Sequence, residues 1–350
     1  VWMHYVGGLC KKMTTDEIKH FKKEIMSHTE IIAKTSGGIL GLGKTSAAEK
    51  YCKKNKIIWT NAPGCNSSSA KQYISAALLK LAIDHKYSLK DKTIGIIGVG
   101  NVGTKIEKFA RAMGMNVLLN DPPRARKEGD GGFVMLGNIL YQADIITVHV
   151  PLNIVGDDKT YHLFNEGSFK KMKKGAWFFN SSRGEVTESS ALKKALGSGK
   201  LGGAVLDVWE NEPDIDFDLM AKTFIATPHI AGYSTDGKAN GTAMVINSLC
   251  KYFDLPLKNW YPDNVPLPSD PEIAIDGKGK SDEEIIREAV FHTYNIAGDD
   301  LKLRFSPSDF ETLRGDYPIR REFPSYTVNL KNGSVNSKKT LEILGFKVIV

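Results

Sequence analysis

Three side chains that together could oxidise a secondary alcohol follow three separate apolar segments: Arg183, Glu212 and His229. Removing a hydride from a secondary alcohol requires a base for the hydroxyl proton, and histidine suits this role because its pKa lies near neutrality. A neighbouring carboxylate fixes the tautomer of the imidazole and stabilises the imidazolium. The fork of an arginine matches a substrate carboxylate and polarises the nascent carbonyl group. The sequence therefore predicts His229 as the base, Glu212 as its partner and Arg183 as the clamp.

Other titratable residues lie close to these three in the chain. Spacing alone does not decide between Glu210 and Glu212 as the partner of His229. Asp207 ends an apolar segment, and we expect it to contact the carboxamide of a nicotinamide cofactor rather than to transfer protons. Two further histidines are predicted to be structural: His149 and His162.

A glycine-rich turn follows the apolar run from Ile94 to Ile97, which reads as a buried strand. Gly98 permits the tight turn, Gly100 lets a pyrophosphate approach the backbone, and Gly103 lets the next helix pack on the strand. The N-terminus of that helix attracts phosphate groups. This order predicts a dinucleotide site, and its turn includes two more residues: Asn101 and Val102.

Asp121 follows the next predicted strand, which runs from Met115 to Asn120. A carboxylate at this position can accept hydrogen bonds from both ribose hydroxyls and repels a 2′-phosphate. The sequence therefore predicts NAD rather than NADP as the cofactor.

Further short apolar segments alternate with helical patterns, which predicts an α/β fold with a doubly wound parallel sheet of Rossmann type. The predicted strands are 145–150, 176–180, 203–208 and 224–227. Long helices are predicted from Ser67 to Ile83 and from Gly232 to about Phe253. Ligands bind beyond the carboxyl ends of such strands, so the residues that follow the strands should face the cofactor.

These elements and a proline-rich stretch predict the domains. Residues 1–88 and 234–255 form a discontinuous substrate-binding domain, and residues 89–233 form the NAD-binding domain. Prolines mark residues 256–271 as a linker. Residues 272–350 form a small α/β domain with strands near 272–276, 326–330 and 346–350, and a capping box from Ser281 to Glu284 opens its first helix.

The composition is that of an ordinary globular protein, since 41% of the 350 residues are hydrophobic and 25% are charged. No apolar run reaches the ~20 residues of a membrane span, so no membrane partner is expected. The net charge of +7 is spread along the chain, which disfavours nucleic-acid binding. The 4 cysteines show no disulfide or metal spacing, which predicts a cytoplasmic protein without a metal site.

Three motifs together resemble the D-isomer-specific 2-hydroxyacid dehydrogenase family: N-x-x-R-G at 180–184, D-V-x-x-x-E-P at 207–213 and T-P-H-I-A-G at 227–232. The resemblance implies NAD, a flavodoxin-like substrate domain and the catalytic set named above, with Glu212 in place of Glu210. It implies a substrate contact from Tyr233, beside Arg183 and His229. The implied cofactor contacts are Asp121, Ser181, Ser182, Arg183, Asp207 and Gly232. Val150 replaces a threonine of the family pattern, so only its backbone is expected to contact the cofactor.

The tail extends the resemblance, because Leu313-Arg314-x-x-Tyr317-x-x-Arg320-Arg321-Glu322-Phe323 is similar to the dimerisation domain of certain family members. This implies a homodimer through residues 272–350. It also implies NAD-dependent oxidation of a small phosphorylated hydroxy acid, 4-phospho-D-erythronate, to (R)-3-hydroxy-2-oxo-4-phosphooxybutanoate in vitamin B6 biosynthesis. The stretch from Ile39 to Ala48 departs from the family's substrate loop. We therefore expect either a different grip on the substrate phosphate or a truncated N-terminal segment.

Two other functions are compatible with the same motifs. One is a phosphorylated D-2-hydroxyacid dehydrogenase of the 3-phosphoglycerate type. The other is an NAD-sensing, corepressor-like binding protein, which the tail disfavours.

Overall fold

The computed structural model describes residues 31–34, by their backbone alone, and residues 53–350. The stretch from Ile39 to Ala48, for which an unusual substrate loop is predicted, lies outside these residues. In the described part of the chain, no helix is both long and apolar enough to span a membrane.

The elements are numbered here in chain order. The strands are β1 (Ile31–Lys34), β2 (Ile58–Asn61), β3 (Thr93–Ile97), β4 (Asn116–Asn120), β5 (Ile145–Val148), β6 (Ala176–Asn180), β7 (Leu201–Leu206), β8 (Ile225–Ala226), β9 (Glu272–Asp276), β10 (Thr327–Lys331) and β11 (Lys347–Ile349). The helices are α1 (Ser67–Asp84), α2 (Gly103–Ala112), α3 (Pro122–Glu128), α4 (Leu136–Gln142), α5 (Glu166–Lys171), α6 (Ser189–Gly197), α7 (Phe217–Lys222), α8 (Thr235–Tyr252), α9 (Asp282–Thr293), α10 (Ile296–Phe305), α11 (Phe310–Gly315) and α12 (Val335–Leu344).

The chain divides into two compact units, Val1–Asn66 with Asp236–Val265, and Ser67–Thr235 with Pro266–Val350. In the first unit, β1 and β2 pair in parallel, and Ala62 packs with Val245 and Leu249 of α8 in a small apolar cluster. Much of this unit lies outside the described residues, so its flavodoxin-like fold stays a prediction.

The second unit contains a six-stranded parallel sheet with the order β4-β3-β5-β6-β7-β8. The doubly wound α/β sheet of the sequence prediction is confirmed, with strand ends that differ by one or two residues. The strands are apolar on both faces because helices cover both sides, and every residue of β5 and β6 is buried. The strand order reverses between β3 and β5, and this switch point is where such sheets bind ligands.

The C-terminal segment adds a three-stranded parallel sheet with the order β11-β10-β9. The predicted capping box is present, since Ser281 and Glu284 each bond the other's backbone N–H at the start of α9. Helix α1 packs against α2 and α9, and side chains of β9 and α9 share one apolar core with β3. This shared core joins α1 and the C-terminal segment to the six-stranded sheet, so the compact units end at Asn66 and Val265 rather than at the predicted boundaries, 88 and 271. The assignment of substrate binding, NAD binding and dimerisation to separate domains stays a prediction.

Candidate active site

His229 lies in the loop that follows β8, and its ring meets a carboxylate from the loop after β7. Nδ1 of His229 lies 2.7 Å from Oε2 of Glu212, and Oε1 of Glu212 accepts a hydrogen bond from the backbone N–H of Trp209 at 2.8 Å. A carboxylate can only accept, so Nδ1 carries the hydrogen and the neutral ring presents its lone pair at Nε2. No hydrogen bond to Nε2 comes from the residues that the structure describes. This nitrogen can therefore take a proton from a bound hydroxyl group.

Glu210, the competing carboxylate, binds a different histidine. Its Oε1 lies 2.6 Å from Nε2 of His162, and its Oε2 accepts a hydrogen bond from the backbone N–H of Ser189 at 2.7 Å. Both oxygens of Glu210 are thus engaged away from His229. The geometry selects Glu212 as the partner, which the motif resemblance also implies.

Asp207, at the end of β7, holds the loop that carries His229. Its side chain is buried; Oδ1 accepts from Oγ1 of Thr227 and from the N–H of Ile230, both at 2.7 Å, and Oδ2 accepts from the N–H of Ala231 at 2.8 Å. Burial raises the pKa of Asp207 to about 6, although these donors and the neighbouring His229 act in the opposite direction. The predicted contact with the nicotinamide carboxamide stays a prediction.

Two further buried groups fix Thr227 behind this loop. The hydroxyl of Tyr73 in α1 lies 2.8 Å from Oγ1 of Thr227, and Nε1 of Trp209 donates to its carbonyl oxygen at 3.0 Å. The sequence predicted only the helix that contains Tyr73, because nothing in a periodic pattern shows where a hydroxyl points.

The loop after β6 carries Arg183. The amide of Asn180 donates to the carbonyl oxygen of Arg183 at 3.0 Å and accepts from the N–H of Ser182 at 2.9 Å, which fixes the turn. A Cβ atom on Gly184 would lie 1.9 Å from the carbonyl oxygen of Trp209, so only glycine lets this loop touch the loop that carries the glutamate. Nη1 of Arg183 donates a hydrogen bond to the carbonyl oxygen of Ser182 at 2.5 Å.

The glycine turn fits a dinucleotide. Gly98 has φ +87°, and its N–H bonds the carbonyl oxygen of Asn120 at 2.8 Å. A Cβ atom added to Gly98 would lie 2.6 Å from the carbonyl oxygen of His149. A Cβ atom added to Gly103 would lie 2.1 Å from the carbonyl oxygen of Gly98. A Cβ atom on Gly100 would instead have no described heavy atom within 4 Å. Packing thus requires the outer glycines, and the middle one leaves the backbone open to a pyrophosphate.

Asp121 braces the same turn. Its Oδ2 accepts from the N–H of Val99 at 2.8 Å, and its Oδ1 accepts from the N–H of Arg124 at 3.1 Å as the N-cap of α3. Each carboxylate oxygen has a second lone pair, so ribose hydroxyls can still bind there.

Comparisons with known proteins agree with this geometry. The family described as D-isomer specific 2-hydroxyacid dehydrogenase, NAD binding domain, matches residues 68–231, and a domain of unknown function matches residues 267–345. A protein of Bacteroides thetaiotaomicron named erythronate-4-phosphate dehydrogenase is 47% identical over 279 residues, which are 80% of this chain and 77% of the relative. The protein of that name from Proteus mirabilis is 40% identical over 299 residues, or 85% and 79% of the two chains.

The chain belongs to the D-isomer-specific 2-hydroxyacid dehydrogenase family. The crystal structure of a D-lactate dehydrogenase from Aquifex aeolicus, complexed with NAD and lactic acid, shares the fold with a TM-score of 0.54 at 23% identity. That alignment covers 70% of this chain and 81% of the other.

The predictions of an NAD-dependent dehydrogenase and of NAD as cofactor are confirmed by the family match. In this dehydrogenase the glycine turn, the N-terminus of α2 and Asp121 are the groups that would hold NAD. The other predicted cofactor residues lie at neighbouring strand ends. Val150 borders Gly98, since a Cβ atom added to this glycine would lie 2.9 Å from Cγ1 of Val150. Oγ of Ser181 lies 3.5 Å from Nδ1 of His149.

Tyr233, the residue predicted to contact the substrate, makes a contact within the protein that the sequence did not predict. The hydroxyl of Tyr233 accepts a hydrogen bond from Nη2 of Arg314 at 3.2 Å, and the guanidinium lies 5.5 Å from the centre of the tyrosine ring. Gly232, the remaining predicted cofactor residue, precedes Tyr233 directly. The tail motif therefore reaches the segment that follows His229, in addition to any role at an interface.

Proposed function

We propose that this dehydrogenase oxidises 4-phospho-D-erythronate to (R)-3-hydroxy-2-oxo-4-phosphooxybutanoate, a step in the biosynthesis of pyridoxal 5′-phosphate, vitamin B6. The substrate is supported by two relatives that are both named erythronate-4-phosphate dehydrogenase. They match this chain over most of their length, at 47% and 40% identity. The reaction is supported above all by one observation: the 2.7 Å contact between His229 and Glu212, which leaves Nε2 of the imidazole for the substrate.

The proposed roles follow from the chemistry of each side chain. NAD, when bound, accepts the hydride from the carbon that carries the hydroxyl group. Nε2 of His229 takes the hydroxyl proton, and Glu212 stabilises the imidazolium that results. Arg183 binds the substrate carboxylate and polarises the new carbonyl group, while Tyr233 contacts the substrate.

We also propose a cytoplasmic homodimer that forms through residues 272–350. Light scattering from the purified protein tests the assembly, and a mass equal to the 38.6 kDa chain would contradict it.

A steady-state assay of NADH formation tests the proposed reaction. The purified enzyme is offered 4-phospho-D-erythronate and 3-phospho-D-glycerate, each with NAD and with NADP. We expect the highest kcat/KM for the four-carbon acid with NAD. A preference for 3-phospho-D-glycerate, or turnover of neither acid, would contradict the proposal. Loss of NADH formation in an Arg183→Ala variant would show that the measured activity belongs to this site.

A further inference from the structure

A buried arginine of the C-terminal segment reaches the loop that carries His229. Arg320 is only 5% exposed. Its Nη2 donates to the carbonyl oxygens of Ile230 and Ala231 at 3.0 and 2.8 Å, and to Oγ of Ser69 at 2.6 Å. Ser69 in turn donates to the carbonyl oxygen of Ala231 at 3.0 Å. A side chain from the tail thus contacts the two residues that directly follow the proposed base.

The same two residues are held from the other side by Asp207. Its carboxylate accepts their backbone N–H groups, whereas Arg320 donates to their carbonyl oxygens. The preceding residue, His229, has φ +57°, a conformation that an L residue keeps only where its surroundings fix it. The orientation of the imidazole therefore depends on an anion on one side of the loop and a cation on the other.

The surroundings of Arg320 show what its charge is used for. The guanidinium lies 4.5 Å from the ring centre of Tyr294, and Nη1 donates to the hydroxyl of Tyr317 at 3.2 Å. Both tyrosines donate to Asp299, at 3.1 and 2.5 Å, so the hydroxyl of Tyr317 links the guanidinium to this carboxylate. Among the described residues, no carboxylate pairs with Arg320 directly, and its Nε has no hydrogen-bond partner.

A buried cation in such a place costs desolvation free energy, which an apolar side chain of similar size would avoid. Packing alone therefore does not account for an arginine at this position. Besides its contacts to Ser69, Tyr294 and Tyr317, the guanidinium supplies two hydrogen bonds to the backbone of the His229 loop, which no apolar side chain could make.

We propose that Arg320 is a positioning residue of this dehydrogenase: it fixes the loop so that Nε2 of His229 faces the substrate hydroxyl. The proposal rests on the proposed role of His229 as the base. It also means that the C-terminal segment completes the active site, whatever it contributes to assembly.

The kinetic test compares two tail arginines that both donate to backbone carbonyl oxygens. Arg304 donates to those of Met220 and Thr223, at 3.0 and 2.9 Å, and is the matched control. We expect Arg320→Met to lower kcat by roughly tenfold to a hundredfold with KM for NAD within about threefold, because a small displacement of a base slows the chemical step. Arg320→Lys should recover part of kcat, and a 2-deuterated substrate should show a larger isotope effect on kcat in Arg320→Met. Arg304→Met should keep the wild-type kcat.

A second readout needs no turnover. The proton between His229 and Glu212 should give a downfield NMR resonance, and the proton between His162 and Glu210 should give another in the same spectrum. Arg320→Met should broaden or shift only the first. A His162→Asn variant assigns the two resonances.

These outcomes separate the two proposals. If the wild-type enzyme does not turn over 4-phospho-D-erythronate, the proposed substrate is wrong, and the resonances still test Arg320. Wild-type kcat together with an unchanged His229 resonance in Arg320→Met would overturn the positioning role. Should Arg320→Met fail to fold, Arg320→Lys and Ser69→Ala decide: we expect roughly threefold to tenfold losses of kcat, and no loss in either would overturn the proposal.

Discussion

Two histidine–glutamate pairs lie on neighbouring loops of this dehydrogenase and have nearly the same dimensions. The nitrogen–oxygen distance is 2.7 Å between His229 and Glu212, and 2.6 Å between His162 and Glu210. Both histidines have positive φ angles, +57° and +50°, and both glutamate side chains are 19% exposed. A short contact between imidazole and carboxylate therefore does not by itself identify a catalytic pair.

The difference lies in which ring nitrogen is used. His229 binds its carboxylate through Nδ1, so the outer nitrogen, Nε2, is left for a ligand. His162 binds through Nε2, and its ring stacks on Tyr161 with centroids 4.0 Å apart. The other oxygen of Glu210 bonds the first N–H of α6, so this pair links two loops. Nε2 is therefore available to a ligand in the first pair, whereas in the second pair Nε2 already binds the glutamate.

Replacing the two histidines should give the largest kinetic difference between the two pairs. His229→Asn removes the proposed base, and we expect kcat/KM for oxidation to fall by about a thousandfold or more. Asparagine tolerates a positive φ better than most residues, so the loop should keep its shape. His162→Asn should keep kcat/KM within about threefold of the wild type. Equal losses in the two variants, measured by NADH formation, would assign both pairs to structure.

Replacing the two glutamates should give a smaller contrast. In Glu212→Gln the imidazolium loses its negative partner, and we expect kcat/KM to fall by roughly a hundredfold, while the same change at Glu210 should cost less than about threefold. Thermal unfolding of both variants is the control for stability. A larger kinetic loss in Glu210→Gln would reverse the assignment.

Gly184 tests whether the loop of Arg183 depends on the loop that carries Glu212. In Gly184→Ala the new Cβ atom would lie 1.9 Å from the carbonyl oxygen of Trp209, so one loop must move. We expect kcat/KM to fall roughly tenfold and the protein to lose about 2 kcal/mol of stability. Gly197→Ala, in a helix with open space around the Cβ position, should gain up to about 1 kcal/mol. Similar urea midpoints for the two variants would contradict the close approach of the loops.

The sequence predicted the sheet and the residues at its strand ends because both depend on local patterns. Apolar runs mark buried parallel strands, and side chains that follow such strands share one edge of the sheet. The choice between Glu210 and Glu212 could not come from spacing, because they stand two residues apart in one loop and each reaches a histidine. Only the three-dimensional path of the loop decides which histidine each one meets.

Contacts made across long chain separations were beyond the sequence for the same reason. Arg320 stands in a motif that was assigned to dimerisation, yet its side chain binds carbonyl oxygens of Ile230 and Ala231. Backbone acceptors leave no trace in a residue pattern, since every residue carries the same carbonyl group. The glycine turn was predictable because the close approach there demands a residue without a side chain.

A third histidine, which directly follows β5, should make the stability of the protein depend on pH. Desolvation lowers the pKa of the partly buried His149 to about 3, from 6.5 for an exposed imidazole, and its Nε2 lies 2.8 Å from Oγ1 of Thr147. The unfolded chain therefore gains a proton below pH 6.5 that the folded protein does not bind, so stability is full above this pH and falls as the pH drops towards 3. We expect the urea-unfolding free energy of the wild type to fall by up to about 1.4 kcal/mol per pH unit more than that of His149→Asn. Parallel pH profiles of the two proteins would mean that His149 takes up a proton as readily in the folded protein as in the unfolded chain, and that burial at this strand end does not hold the imidazole neutral.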